Sequence, residues 1–418
     1  MRTADSARDP EQLAEAGLAW LLSSARQGGD GKLHWTTRPS DEEPNPVLYS
    51  GTSGIAVALL EAYRHFGDDR YGTAALRAAR SIAAVVPDWE LHGLYLGLSG
   101  MAFALHAVGE QLDDPASTAA ARRALDRVRA GFDGTRWGRY LELLSGNAGV
   151  ALGALAVGDR ELALLAVEPF LRTAEPTAHG VQWEQRQGTA SRLHHVSHGT
   201  LGIVAALASV GRAEGRADLV ELALAGAADV VARDEAGPWG FLVPHSDPQA
   251  SPERIERYSF GWCHGPAGDA QVFRLLRDVD PGGEWSALVD RCWYTVTRSG
   301  LPRRLHPGFW DNSGRCCGTA GVLALAGDRM AEDGDGAPRF AAALVADLSR
   351  RASVDDAGAR WSNVEHRRSP SLLEPEYGWA MGNAGIVREL LRFVRVSRGD
   401  GTGYSVAWPD QPSATVET

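Results

Sequence analysis

The chain is 418 residues long, 44% of them hydrophobic, with 42 Lys and Arg against 53 Asp and Glu for a formal net charge of −11. That length suits one large domain or two or three small ones with an ordinary core, and the surplus of acid argues against a general nucleic-acid or anionic-membrane surface. No apolar run approaches the ~20 residues of a membrane span, and the charged stretch Met1 to Gln12 lacks the apolar centre of a signal peptide, so a cytoplasmic protein is expected.

In chain order, segments with charge on one face and Ala, Leu or Val on the other alternate with apolar stretches opened by two glycines three residues apart. The first amphipathic segment covers 10–26, and the first pair, Gly51/Gly54, opens Ile55 to Leu60. Segment 70–85 precedes Gly97/Gly100, which opens Met101 to Leu105. Segments 116–131 and 160–172 flank Gly146/Gly149, and Gly199/Gly202 opens Ile203 to Leu207. Segment 217–233, Gly265/Gly268, segment 284–299, Gly318/Gly321, segment 336–352 and Gly382/Gly385 complete the series. Spacings of 46, 49, 53, 66, 53 and 64 residues fit two helices and their loops. Repeats that cannot bury an apolar face alone stack on one another, and helices apolar all round belong inside. The expected fold is all-α: an α/α toroid, or double α-barrel, with seven inner and seven outer helices, forming a single domain over 1–397. The first glycine of each pair is expected to take φ > 0 where the loop turns, and the second to permit close backbone approach. Residues 398–418 have no helical period and are expected to form a flexible tail.

Aligned on the first glycine, the preceding residues are Ser50, Leu96, Ser145, His198, His264, Cys317 and Met381. One position earlier stand Ser197, Cys263 and Cys316 in the fourth to sixth copies. Equivalent positions in a closed ring lie at one height, so His198, Cys263, His264, Cys316 and Cys317 should converge at one mouth. Cysteines in a chain of this class read as thiols or metal ligands and not as a disulfide frame. Thiolates with imidazole nearby suit zinc, and three protein ligands leave a tetrahedral position open for catalysis. Cys292, alone on an outer-helix segment, reads as a packing residue. Trp262, Trp379 and Tyr377 flank repeat openings, where they either line a peptide groove or pack in the core.

The segments Ser197-His198-Gly199-Thr200-Leu201-Gly202, Trp262-Cys263-His264-Gly265, Cys316-Cys317-Gly318-Thr319-Ala320-Gly321 and Gly382-Asn383-Ala384-Gly385 together resemble the lanthionine synthetase C-like family, the lanthipeptide cyclases, and the seven-repeat framework extends the resemblance over nearly the whole chain. It implies Zn2+ at the barrel mouth and addition of a peptide cysteine thiolate to dehydroalanine or dehydrobutyrine, forming a thioether ring. By that resemblance Cys263 and Cys316 are zinc ligands, and Cys317 stands where many members have a third ligand histidine and a subset has cysteine. His264, a rival ligand by type, is placed beside the site. His198 matches the histidine that handles protons, and Glu142 falls where members carry an aspartate, suited to orienting it. An arginine often found four residues before the Trp-Cys cysteine, suited to stabilising the enolate, is replaced by Ser259, with Arg257 nearest.

The implied protein is a stand-alone cyclase: no kinase-type loop is visible, so its partners would be a dehydrated precursor peptide and a separate dehydratase. One rival is a non-catalytic zinc-dependent relative that only binds peptide or thiol. Another is a zinc prenyltransferase subunit on an α/α barrel, disfavoured because that class needs a carboxylate ligand and a lipid tunnel.

Overall fold

A computed structural model describes residues 8–253, 255–305, 311–332, 334, 336–401 and 403–411. Fourteen α-helices occur among them, with only short strands in four two-stranded antiparallel ladders. The amphipathic segments become α1 (Pro10–Ser23), α3 (Asp69–Val85), α5 (Pro115–Ala130), α7 (Arg160–Thr173), α9 (Ala217–Val231), α11 (Trp285–Arg298) and α13 (Ala337–Arg351). The glycine pairs open α2 (Thr52–Phe66), α4 (Leu98–Gln111), α6 (Asn147–Val157), α8 (Thr200–Glu214), α10 (Pro266–Val279), α12 (Thr319–Ala331) and α14 (Asn383–Ser397). Residues Thr52 to Ala62 of α2 and Thr200 to Ala208 of α8 are continuously buried, as helices without a polar face must be. No described helix is long and apolar enough to cross a membrane.

The openings of α2, α4, α6, α8, α12 and α14 share one device. The chain makes a tight turn ahead of the first glycine and returns its carbonyls to the helix N-terminus, so the orphan N–H groups of the first turn need no side-chain cap. Ala148 N donates to Leu141 O at 3.1 Å, Leu201 N to His194 O at 3.0 Å, and Ala384 N to Tyr377 O at 3.0 Å. The glycine requirement differs from the expected one. Gly51, Gly146, Gly199, Gly318 and Gly382 have φ between −113 and −141°, and Gly265 has 169°, all extended backbone. Close approach explains both members instead. A Cβ on Gly265 would lie 2.3 Å from Ser259 O, and one on Gly268 would lie 1.9 Å from Trp262 O.

A second recurrent device was not foreseen. Four buried tryptophans cap carbonyls in the last turns of outer helices: Trp35 Nε1 donates to Leu21 O, Trp137 to Val128 O, Trp183 to Phe170 O and Trp361 to Leu348 O, at 2.6–3.1 Å. Those orphan acceptors are thereby satisfied inside the protein.

The helices divide between two compact units. Unit 1 comprises 1–82, 111–114 and 300–406, where α14 packs on α1, α2 and α12, and α12 on α13. Its interior holds charge. Glu61 accepts from Arg395 at 2.5 Å and from the N–H groups of Ser405 and Val406. Arg392 pairs with Asp328 at 2.5 Å, Arg315 with Glu389 at 3.0 Å, and the Tyr404 hydroxyl donates to Glu389. Unit 2 comprises 83–110, 115–299 and 407–418, with α8 packed on α6 and α10, and α7, α9 and α11 backing α6, α8 and α10. Within the segment expected as a tail, Val406 and Trp408 are buried, and Trp408 Nε1 donates to Tyr95 Oη at 2.9 Å. Residues 412–418 lie outside the described residues.

Candidate metal centre and its histidine cluster

The turns ahead of the inner helices are bonded to their neighbours at the position two before the first glycine. In unit 1 Cys316 N donates to Ala380 O and Ala380 N to Tyr49 O, each at 2.8 Å. In unit 2 Tyr95 N donates to Leu144 O at 2.9 Å and Ser197 N to Cys263 O at 3.2 Å. Within each unit these links put repeat-equivalent residues side by side.

Cys316 and Cys317 precede α12, and Cys263 precedes α10. Cys263 and Cys316 are buried, Cys317 partly so, and none is in a disulfide. The three Sγ atoms lie within 4.8 Å of one another, and His264 does not belong to that group. Three thiols this close, if ionised, require a cation to balance their charge. An all-sulfur donor set fits zinc among common divalent ions. The N-termini of α10 and α12 add partial positive charge beside the sulfurs. The Tyr49 hydroxyl donates to Cys316 Sγ at 3.2 Å, the Cys317 thiol donates to Met381 Sδ at 3.5 Å, and the Ser197 hydroxyl donates to Cys263 O at 2.9 Å.

His198 and Glu142 are in contact. The buried Glu142 carboxylate accepts from Leu144 N and Ser145 N at 2.8 and 2.9 Å, which fixes it, and Oε2 lies 3.0 Å from His198 Nδ1. The His198 side chain is 41% exposed. Its Nδ1 is therefore engaged by a carboxylate that the backbone itself fixes.

His264 lies among imidazoles: its ring centroid is 4.0 Å from His245, 5.5 Å from a stacked His198 and 6.0 Å from His195. Burial, then the nearby histidines, hold its pKa well below the usual imidazole range. His245 is pushed down to about 4, first by burial. His195 Nδ1 lies 2.9 Å from Asp269 Oδ2, with both side chains wholly buried, and burial pushes Asp269 upward.

The remaining expected residues separate. Arg257 is paired with Glu235 at 2.5 Å and with the Tyr258 hydroxyl, so its guanidinium is committed there. Ser259 contributes its carbonyl, against which Gly265 packs. Trp262 packs at 5.5 Å from Tyr95, Tyr377 stacks on Trp20 at 4.7 Å, and Arg315 lies over Trp379; all three expected aromatics are core residues. Cys292 is buried in α11, and burial drives its thiol pKa well up.

Sequence reasoning missed Tyr49, His195, Asp269 and His245. Tyr49 holds the same repeat position as Cys263 and Cys316, so extending the alignment to the first copy would have found it. Asp269, a carboxylate inside a buried helix, was a second visible signal. His245 comes from a loop with no periodic position.

The family model for lanthionine synthetase C-like protein matches residues 43–240 and 249–344. No curated protein matches the chain in sequence. Among solved structures, nisin cyclase is similar over 86% of this chain and 91% of its own, at 14% identity and TM-score 0.61. An α-1,6-mannanase, GH76A of Salegentibacter sp. HEL1_6, in complex with α-1,6-mannotriose, is similar over 92% and 99%, at 12% identity and TM-score 0.51. An unsaturated glucuronyl hydrolase specific for heparin is similar over 93% and 98%, at 10% identity and TM-score 0.50. At these identities the likeness is one of fold: the α/α toroid read from the glycine pairs.

Proposed function

Because the chain belongs to the lanthionine synthetase C-like family, we propose that it is a stand-alone zinc-dependent cyclase forming lanthionine or methyllanthionine rings. The observation that carries this reading is the group of three sulfurs within 4.8 Å, supported by a histidine oriented by a buried carboxylate. Cys263, Cys316 and Cys317 would hold the metal. Zinc bound there would keep a substrate cysteine as thiolate at neutral pH.

The chain's own groups supply the rest. Tyr49 and the N-termini of α10 and α12 favour negative charge on the sulfurs. His198 accepts the thiol proton at Nε2 while Glu142 stabilises the resulting imidazolium through Nδ1. Carbon–sulfur bond formation at Cβ of dehydroalanine or dehydrobutyrine leaves the electron pair on Cα and its carbonyl, and His198 returns the proton to Cα. The net result is addition of S–H across C=C, with no other reactant. His264, held neutral beside His198, keeps a second positive charge away from it. A separate dehydratase would supply the unsaturated peptide, and a cytoplasmic setting suits three reduced thiols.

The test is metal analysis with ring formation on a synthetic peptide containing one cysteine and one dehydroalanine. About one zinc per chain and loss of free thiol without mass change are expected. Cys263→Ala and Cys316→Ala should lose both zinc and activity. Full zinc retention in both variants overturns the site. Zinc and peptide binding without ring formation in the unaltered protein would give the site to the non-catalytic alternative.

A further inference from the structure

In unit 2, the loop over 234–241 carries Trp239 with 74% of its surface exposed. That loop is fixed from several sides. Asp234 accepts from Ala236 N and Leu242 N at 3.0 and 2.9 Å. Arg291 of α11 donates to Gly240 O at 2.8 Å and Gly237 O at 3.1 Å and pairs with Asp234, while Phe241 N donates to Thr295 Oγ1 at 2.8 Å. A large ring displayed to water on a braced turn, with other aromatics beside it, is a signature of an interaction surface.

An open recess of about 330 Å³ adjoins it, lined by Trp239, Phe260, Tyr294 and Arg298 among others. Tyr294 is 41% exposed, and the Arg298 guanidinium lies 5.2 Å over its ring. No carboxylate pairs with Arg298 among the described residues. Arg298 is the charged residue among those lining the recess, which gives an apolar floor one partner for an acidic group at its edge.

Two ties join this shelf to the loop carrying Cys263. Phe260 precedes Cys263 by three residues, so their Cα atoms are at most about 11 Å apart. Glu235, in the Trp239 loop, holds Arg257 at 2.5 Å and the Tyr258 hydroxyl, both in that same segment.

We propose that this shelf docks the substrate peptide. An extended segment places a large apolar side chain against Trp239, Phe260 and Tyr294 and an acidic side chain on Arg298, about three or four residues from the reacting cysteine. This rests on the cyclase reading above and adds to it a recognition rule for apolar-acidic peptide sequence.

Two fluorescein-labelled synthetic peptides test it on the full zinc-loaded chain by anisotropy. Each has a cysteine and, to prevent reaction, alanine in place of dehydroalanine. One carries Leu-Asp three residues before the cysteine; the other carries Gly-Ser there. The Leu-Asp peptide should bind about tenfold more tightly, and Trp239→Ala or Arg298→Ala should remove that advantage. Both variants should keep their zinc and melting temperature, and on the dehydroalanine form of the peptide should raise KM with kcat unchanged. Arg298→Glu should prefer a Leu-Lys peptide. Equal affinity for both peptides, indifference to both variants, or no binding up to about 1 mM overturns the proposal. So does a dimer, seen by sedimentation, that Trp239→Ala dissociates, since a second copy would then own the shelf. Selective binding without ring formation on the dehydroalanine form would sink the cyclase reading and leave the shelf standing. Ring formation with unselective binding would do the reverse.

Discussion

The interior of unit 1 and the histidine cluster of unit 2 bury ionisable groups in opposite ways. Among the described residues of unit 1, the buried charges meet their complements. Burial opposes ionisation of Glu61, yet Arg388, Arg395 and the N–H groups of Ser405 and Val406 hold its pKa below the usual carboxylate range. Burial likewise opposes the charge on Arg392, but Asp328, then Tyr404 and Glu389, raise its pKa. In unit 2 five histidines lie close in sequence or space, and the acids they face are Asp269 on His195 and Glu142 on His198. Desolvation wins at His194, His245 and His264, which stay neutral. A balanced network braces helices and resists titration. The buried imidazoles of unit 2 carry no charge at pH 7, and His198, 41% exposed and set against Glu142, is the member of the cluster that reaches solvent.

The largest effect should come from the one exposed histidine of that cluster. His198→Ala should slow ring formation by about 10²–10⁴-fold with zinc content unchanged. Glu142→Gln should lose about 10-fold or more by weakening its orientation. Rates and metal content measured on the same samples decide. Zinc loss in His198→Ala would make it a ligand, and an unchanged rate would end its role as acid and base.

The complementary break falls in unit 1. Asp328→Ala leaves the Arg392 guanidinium buried without its carboxylate and should cost about 3–5 kcal/mol of stability. Zinc content of the folded fraction should not change. A melting temperature equal to the parent's would show that the network does not brace the helices.

Acid should separate the regions by pH. His245 and His194, pushed down to about 4 and about 3 in the fold, both chiefly by burial, are neutral there at pH 7. Below about pH 6.5 the unfolded chain takes up these protons before the folded chain does, so stability falls from there down to about pH 3 and levels off beyond the folded values. Each unit of depression corresponds to about 1.4 kcal/mol at most. Urea midpoints at pH 8, 6 and 5 should fall in that order, and His245→Phe should flatten the decline. A flat profile in the parent would show these groups are not held neutral.

Smallest of all, Cys292→Ala removes one buried sulfur from α11 and should cost about 1–2 kcal/mol, without touching zinc or rate. Any loss of metal would contradict its placement in the packing of an outer helix.

Helical periodicity carried most of the architecture. The segment 217–233 became α9 at 217–231, and 284–299 became α11 at 285–298, because a charged face and an apolar face leave one stable arrangement. The contact between Glu142 and His198 was suggested by the family resemblance, since the two residues are distant in sequence and no period relates them. The reason for the glycines was misread, since φ and backbone crowding leave the same residue in a sequence. Trp262, Trp379 and Tyr377 could not be assigned between groove and core, because an aromatic beside a turn suits both; here backbone packing draws all three inside. His245 and the Trp239 shelf arrive on loops, where placement follows from contacts such as those of Arg291 and Glu235 and not from any period.

The backbone bonds from Cys316 N to Ala380 O and from Ser197 N to Cys263 O carry a consequence for how such a site can diversify. They hold repeat-equivalent positions in place without using any side chain. A residue there can therefore be exchanged for another donor while the turn, its glycines and the following helix keep their geometry. Met381, the residue before Gly382, has its thioether 3.5 Å from Cys317 Sγ, so a further sulfur already stands beside that thiol. A change of residue at such positions therefore alters the local set of side chains without altering the fold that presents them.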